Sequence, residues 1–221
     1  MDLEWRFLMN AQHVFVMGPS TQEFLVTHGL PVERITVTGS GINAAIPPLR
    51  DRTSDAPNRL LFLGKEWERK GGPGLVEALR QVRLETSHQP MLDIVGCSPR
   101  LADDFCNVMG AIAPTELAPI LDRASALAMP TRSEAFGVAY VEALSAGLPV
   151  LGSNVSNVPW IIGDAGLCPD PENMHEIAHG LVDLLNGYSV YANAAFVRGT
   201  TLRREWTWAR VASTVLGQAG R

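Results

Sequence analysis

Short apolar runs alternate with amphipathic stretches along most of the chain. Near the start, residues 13–17 (HVFVM) predict a strand, residues 21–28 a helix with Ser20 as its N-cap, and residues 35–38 (ITVT) a second short strand. From about residue 43 to 58 the periodicity vanishes among Pro, Asp, Arg and Ser, which predicts a linker. The alternation then becomes regular. Strands are predicted at 60–63, 91–95, 126–129 and 149–151, and helices at 74–84, 114–123, 137–146 and 171–186, with two further helical stretches after them. Apolar strands separated by helices imply a doubly wound, Rossmann-like α/β fold whose parallel sheet is covered on both faces. Such sheets bind ligands beyond the carboxyl ends of their strands.

Composition narrows the function classes. The 221 residues carry a formal net charge of −5, without the basic footprint that nucleic-acid binding needs. Positive charge is local, at Lys65, Arg69 and Lys70 and at Arg203 and Arg204; the last two read as a solvated helix face rather than a lipid patch. Three cysteines, Cys97, Cys106 and Cys168, form no CxxC pair, which argues against a disulfide framework or a structural zinc site and for a reducing, cytoplasmic setting. No apolar run approaches the ~20 residues of a membrane span, and the opening MDLEWRF, with early acids and no basic start before an apolar core, does not read as a signal peptide. Any membrane association is expected to be peripheral.

The chemistry concentrates in PTRSEAFGVAYVEALSAGLPV, residues 130–150. A strand ends at Pro130, a polar loop runs from 131 to 136, and a helix begins near Gly137. The first N–H groups of that helix point back toward the strand end and, with the macrodipole, suit a phosphate. Gly137 lets a ligand approach the backbone. Glu134 and Glu142 flank this anion site, an arrangement that makes sense when the carboxylates accept hydroxyl hydrogens. Phosphates in the middle with hydroxyl-bearing rings on both sides describe a nucleotide sugar.

The same segment resembles the E-x7-E region of retaining glycosyltransferases of the GT-B fold, glycosyltransferase family 4 in particular, through Glu134, Phe136, Gly137, Glu142, Ala143, Gly147, Leu148, Pro149 and Val150. The resemblance implies that Glu134 contacts the transferred sugar and Glu142 the ribose, and that the backbone near Phe136, Gly137, Val138 and Ala139 contacts the sugar or the diphosphate. LLFLGKEWERKGG resembles that family's strand and loop with a basic pair: Lys70 matches its diphosphate lysine, and Lys65 stands where arginine is usual, without the bidentate fork. ITVTGSGIN, LDIVG and MGAIAPTEL extend the likeness, implying that Gly41 lies close to the ligand and that the backbone near Ile112 reads the base. The implied catalytic residues are Lys70 and Glu134. Transfer is expected to need no metal or other cofactor, since there is no DxD motif and fixed positive charge can stabilise the leaving phosphate.

Some positions depart from the family pattern. Ala135 replaces a usual glycine, Ser156 and Asn157 fall where two glycines are frequent, and Trp160 where glutamate is. The segment from 97 to 107 is short, so the helix often found there is expected to be lost or cut down. The resemblance implies the C-terminal half of a two-domain enzyme: 1–43 as a remnant of the acceptor domain and entry segment, 44–57 as linker, 58–203 as the nucleotide-sugar-binding domain, and 204–221 as a helix returning to the acceptor domain. A glycan, lipid or small-molecule acceptor would then be bound by a domain missing from this chain. Two readings stay open, a hexosyltransferase and a nucleotide-sugar-binding module without activity; an epimerase of the same fold fits the basic pair and E-x7-E less well. Residues 175–179 (HEIAH) match a zinc-protease signature, but the apolar stripe of Ile177, Leu181, Leu184 and Leu185 predicts that His175 and His179 face solvent.

Overall fold

A computed structural model describes residues 3–43 and 45–219. The expected domain boundaries at residues 1, 44 and 221 therefore fall outside the described residues. The chain forms two compact units, a smaller one from the residues up to Ile42 together with those from Arg204 onward, and a larger one over Asn43–Arg203.

The smaller unit starts with helix α1 (Leu3–Asn10), strand β1 (Val14–Val16), helix α2 (Pro19–Thr27) and strand β2 (Ile35–Val37). β1 and β2 pair in parallel, and Val16, Leu25, Leu30 and Ile35 form a small core with Trp5 and Leu8 of α1 against it. Ser20 is not the N-cap of α2. The helix begins two residues earlier than expected, with Pro19 supplying a pre-set φ and Gly18 in the cap position. The sequence pattern does not predict α1; none of its residues is buried, and its apolar Leu3 and Phe7 are exposed.

The larger unit comprises β3 (Arg59–Leu63), α3 (Gly72–Glu85), β4 (Met91–Val95), β5 (Cys106–Gly110), α4 (Leu117–Arg123), β6 (Ala126–Ala128), α5 (Val138–Ser145), β7 (Val150–Leu151), α6 (Val158–Ile162), β8 (Gly166–Leu167), α7 (Met174–Asn186) and α8 (Tyr188–Glu205), the last running on into the smaller unit. Six parallel strands form one sheet in the order β5-β4-β3-β6-β7-β8. This is the doubly wound α/β fold expected from the sequence. The chain enters at mid-sheet with β3, steps outward to β5, then returns beside β3 to lay down β6 and steps outward the other way. The carboxyl ends of β3 and β6 therefore diverge, and the crevice between them is where sheets of this order bind ligands.

Packing follows from composition. β3 and β4 bury Leu60, Leu61, Phe62, Leu92, Ile94 and Val95, and a stripe of Leu75, Val76, Leu79 and Val82 seats α3 on the sheet. Gly199 of α8 lets two backbones meet, since a Cβ there would fall 2.3 Å from the Leu144 carbonyl of α5. No helix follows β4. The chain reaches β5 through an irregular stretch, and β5 is a half-exposed edge strand whose residues lack the apolar run that betrays a buried one. The segment expected as a linker has no helix or strand among its described residues, yet it anchors the unit through the fully buried Arg52. Arg203 is likewise not on a solvated face; it donates to the carbonyls of Ser145 and Pro47.

Asp93, the one charged residue of β4, is buried beside the edge strand β5. It accepts from Arg59 at 3.0 Å, Asn107 at 2.9 Å and Arg123 at 3.1 Å. Burial pushes its carboxyl up, but the bonds from Asn107 and Arg123 and the charges of Arg59 and Arg123 outweigh it and hold the carboxyl below its ordinary value. A depressed folded-state pKa gives stability that is present above the unfolded value of roughly 3.9 and lost as pH falls through the folded one. Asp93→Asn is thus expected to lower stability at pH 7 and to flatten its loss between about pH 4 and pH 2, read by urea unfolding across that range. An acid limb as steep as the parent's would show that the charge on Asp93 is not what acid removes.

Candidate functional site

Two loops meet at the β3/β6 crevice. The first, after β3, runs from Gly64 to Gly71 and is folded on itself by Lys70 N–H to Glu66 C=O at 2.9 Å and Gly72 N–H to Trp67 C=O at 3.0 Å. Trp67 lies against Phe62 of β3, with ring centroids 4.9 Å apart. Gly71 has φ +78°, and a Cβ there would fall 1.9 Å from the Pro130 carbonyl, so only glycine lets this loop touch the end of β6. The second loop, after β6, is tied to the first by Arg132 N–H to Arg69 C=O at 2.9 Å and by Thr131 Oγ1 to the same carbonyl at 3.2 Å. Ser153 Oγ donates to Thr131 C=O at 2.7 Å, and Tyr140 OH donates to Met129 C=O at 2.7 Å. The Tyr140 hydroxyl is held neutral, its pKa raised by burial first and by the charge of Glu134 second.

These ties bring together two residues 64 positions apart. Lys70 Nζ and Glu134 Oε2 form an ion pair, with only 12% and 9% of the two side chains exposed. Next to it, Gly137 (φ +113°) caps α5, whose first internal bond runs from Tyr140 N–H to Gly137 C=O. The N–H groups of Val138 and Ala139 come before that bond, at the positive end of the helix. Phe136 is buried and meets Trp160 edge-on at 6.3 Å. Glu142 lies in the second turn of α5 and is buried, so it is not a solvated helical glutamate.

A pocket of about 360 Å³ opens at the carboxyl ends of β3, β4 and β5, lined by Lys65, Ile112, Leu63, Val95, Pro114 and Leu117 among others. Gly64 lines it too, and the stem of Lys70 lies on Gly64, where a Cβ would be 3.1 Å from Lys70 Cγ. The apolar pocket and the ion pair are therefore contiguous. The crevice offers an apolar pocket, an ammonium, a helix N-terminus and the Glu134 carboxylate close together. Of the residues expected from sequence, Lys65, Lys70, Ile112, Glu134, Phe136, Gly137, Val138, Ala139 and Glu142 belong to the larger unit. Gly41 belongs to the smaller one, packed so closely on Trp208 of helix α9 (Trp208–Ala219) that a Cβ would fall 2.4 Å from its ring. Thr131, Tyr140, Ser153 and Gly71, which brace the site, are not among the site residues the sequence predicts; the φ of Gly71 and the distant carbonyl partners of the others have no local signature.

The loop after β7 carries strain. Ser156 has φ +51°, the one non-glycine residue with positive φ among those described, at a position where the resembled family often has glycine. A left-handed serine costs on the order of 1–2 kcal/mol, and glycine would return part of that as backbone entropy in the unfolded chain. Ser156→Gly is expected to raise stability by roughly 0.5–1 kcal/mol, measured by urea unfolding; a loss of stability would mean that the serine hydroxyl outweighs the strain.

His175 and His179 are exposed on α7, with His179 Nδ1 3.1 Å from Asp183. Among the described residues no three His, Cys, Asp or Glu side chains gather as a metal ion would require. The three cysteines are free thiols. No helix among the described residues is long and apolar enough to cross a membrane.

Residues 57–187 match the family described as glycosyl transferases group 1. Among curated relatives, the O-antigen chain mannosyltransferase B of Escherichia coli is 24% identical over 210 residues, covering 86% of this chain and 55% of that protein. The glycogen synthase of Mycobacterium tuberculosis is 28% identical, covering 93% and 50%. The chain spans about half the length of the curated relatives it matches. Among solved structures, a sucrose-phosphate synthase from Thermosynechococcus elongatus superposes with a TM-score of 0.78 at 22% identity over 99% of this chain and 60% of that one. HepE of Anabaena, solved with UDP and glucose, superposes at 0.75 with 15% identity over 98% and 66%. The fold is that of the C-terminal Rossmann-like domain of GT-B glycosyltransferases, and by the match over more than half of its length the chain belongs to the glycosyl transferases group 1 family.

Proposed function

We propose that this chain is the donor-binding half of a family 4 glycosyltransferase, which transfers a hexose from a nucleoside diphosphate sugar with retention of configuration. The observation that carries the reading is the convergence of Lys70 and Glu134 at the β3/β6 crevice, between the N-terminus of α5 and the apolar pocket around Ile112. The base fits the apolar pocket, the diphosphate fits Lys70 and the N–H groups of Val138 and Ala139, and the sugar hydroxyls fit Glu134. Glu142 is assigned to the ribose, and Lys65 to the margin of the donor. Negative charge that develops on the departing diphosphate would be met by a fixed ammonium and a helix dipole, which need no reorganisation during transfer. No metal ion is called for in that scheme. The free thiols suit a reducing compartment, and the protein is assigned to the cytoplasm on that ground.

The acceptor, a glycan, lipid or small molecule, would be held by a second domain of the kind that the longer relatives have room for. That difference in length also favours a second reading, in which the chain binds nucleotide sugars without transferring them. Titration calorimetry with UDP-glucose, GDP-mannose and ADP-glucose tests both readings, and at least one should bind. Glu142→Ala should weaken that binding by about tenfold, as expected for loss of a charge-assisted hydrogen bond. Absence of heat with all three would sink both readings, whereas binding without transfer in the presence of the acceptor domain would favour the binding module.

A further inference from the structure

The cation assigned to the diphosphate and the carboxylate assigned to the sugar are bonded to each other. Both side chains are nearly buried, so each supplies most of the other's compensation. A diphosphate that takes Lys70 must break or share that bond, and Glu134 then keeps its charge beside the incoming anion with one partner fewer. Intact donor can restore the loss, because sugar hydroxyls donate to the freed carboxylate. Nucleoside diphosphate without its sugar cannot.

We infer that Glu134, through its ion pair with Lys70, is the residue that makes the site discriminate a nucleoside diphosphate sugar from the free nucleoside diphosphate. The inference rests on the donor-binding reading and adds a direction to it. The pair must be broken or shared when diphosphate and sugar arrive together, and it disfavours the nucleotide left after the sugar has gone. The surroundings reinforce the effect. Arg132 and Arg69 hold the Glu134 loop to the Lys70 loop through Arg132 N–H and Arg69 C=O, so the two charged groups cannot simply drift apart. Arg69 is bonded to Glu66 and Arg132 to Glu172; Arg69 also feels the charge of Glu134, but Lys70 is the cation to which Glu134 is bonded.

The test is a comparison of dissociation constants for UDP, GDP and ADP with those for UDP-glucose, GDP-mannose and ADP-glucose, in the parent chain and in Glu134→Gln. The amide keeps the shape and hydrogen-bonding capacity but removes the charge that competes for Lys70. The sugar-free nucleotide of whichever base binds should bind Glu134→Gln about tenfold more tightly, equivalent to roughly 1.4 kcal/mol. The sugar-bearing form should gain less, so that the ratio of the two constants shrinks. In a Lys70→Ala background the same substitution should give none of the sugar-free gain beyond relief of simple charge repulsion, about threefold at most at 0.15 M salt. Unchanged or weaker binding of the sugar-free nucleotide by Glu134→Gln, in a protein whose far-ultraviolet dichroism matches the parent's, would overturn the inference while leaving donor binding intact. Failure of the parent to bind any of the six ligands would remove the donor-binding reading itself.

Discussion

Arg52→Met should lower the free energy of unfolding by about 3–5 kcal/mol, the range for removing one partner from a buried charged network. Arg52 is fully buried in a stretch with no helix or strand. Its guanidinium donates through Nε to Ala146 C=O at 3.1 Å, through one terminal nitrogen to Asp122 and Ala124 C=O at 2.9 Å each, and through the other to Leu121 C=O at 3.1 Å. These are carbonyls from the last turns of α4 and α5, which have no partner within their own helices. A cation there also faces the negative ends of two helix dipoles. Burial pulls the pKa of Arg52 down, helped by the charge of Arg50, but from so high a starting value that the guanidinium stays charged at neutral pH. Methionine fills a similar volume but leaves the buried carbonyls of Ala146, Ala124 and Leu121 without this donor, while Asp122 C=O keeps its bond from Arg50 at 3.2 Å. Arg52→Lys should recover less than half of the loss, because an ammonium cannot span acceptors arranged for a planar fork. Urea unfolding monitored by circular dichroism reads both values. A loss under about 1 kcal/mol for Arg52→Met would mean that the carbonyls find water after all.

Arg52 also shows where sequence reading stops. A charged residue among Pro, Asp and Ser reads as solvated linker, because nothing local announces that two helix ends 69 and 94 residues away will close around it. The strands β3, β4 and β6 were legible because their apolar runs are buried on both faces, which leaves no polar alternation to confuse the period. β5 was not, since an edge strand with exposed Asn107 and Val108 carries no such run. The site divides in the same way. Gly137 and the helix after it could be read from a loop ending in glycine before an apolar helix; the burial of Glu142 could not. The bond between Lys70 and Glu134 could not be read, because it depends on β3 and β6 being neighbours, and that follows from the strand order rather than from either loop. Ser156 was noticed as a departure from a family pattern; its positive φ supplies the physical meaning of that departure.

Lys70→Ala should weaken binding of the nucleoside diphosphate sugar by roughly tenfold to a hundredfold, the equivalent of one charge-assisted hydrogen bond of about 1.5–3 kcal/mol. Two effects act in the same direction. The diphosphate loses a fixed ammonium in a mostly dry crevice, where a charge is weakly screened. The Glu134 carboxylate loses its partner and remains as an anion beside the phosphates. Lys65 provides the internal comparison. It is exposed at the mouth of the apolar pocket, so its ammonium keeps most of its hydration and its attraction is screened by salt over about 8–10 Å. Lys65→Ala should therefore change binding by less than about threefold at 0.15 M salt and by even less at 0.5 M. The Lys70→Ala deficit should persist across the same range, since a buried contact is screened far less. Calorimetry of both variants at the two salt concentrations separates these outcomes. Equal losses that fade together with salt would mean that the diphosphate is met by diffuse surface charge, and that the bond between Lys70 and Glu134 braces the two loops without taking part in donor binding.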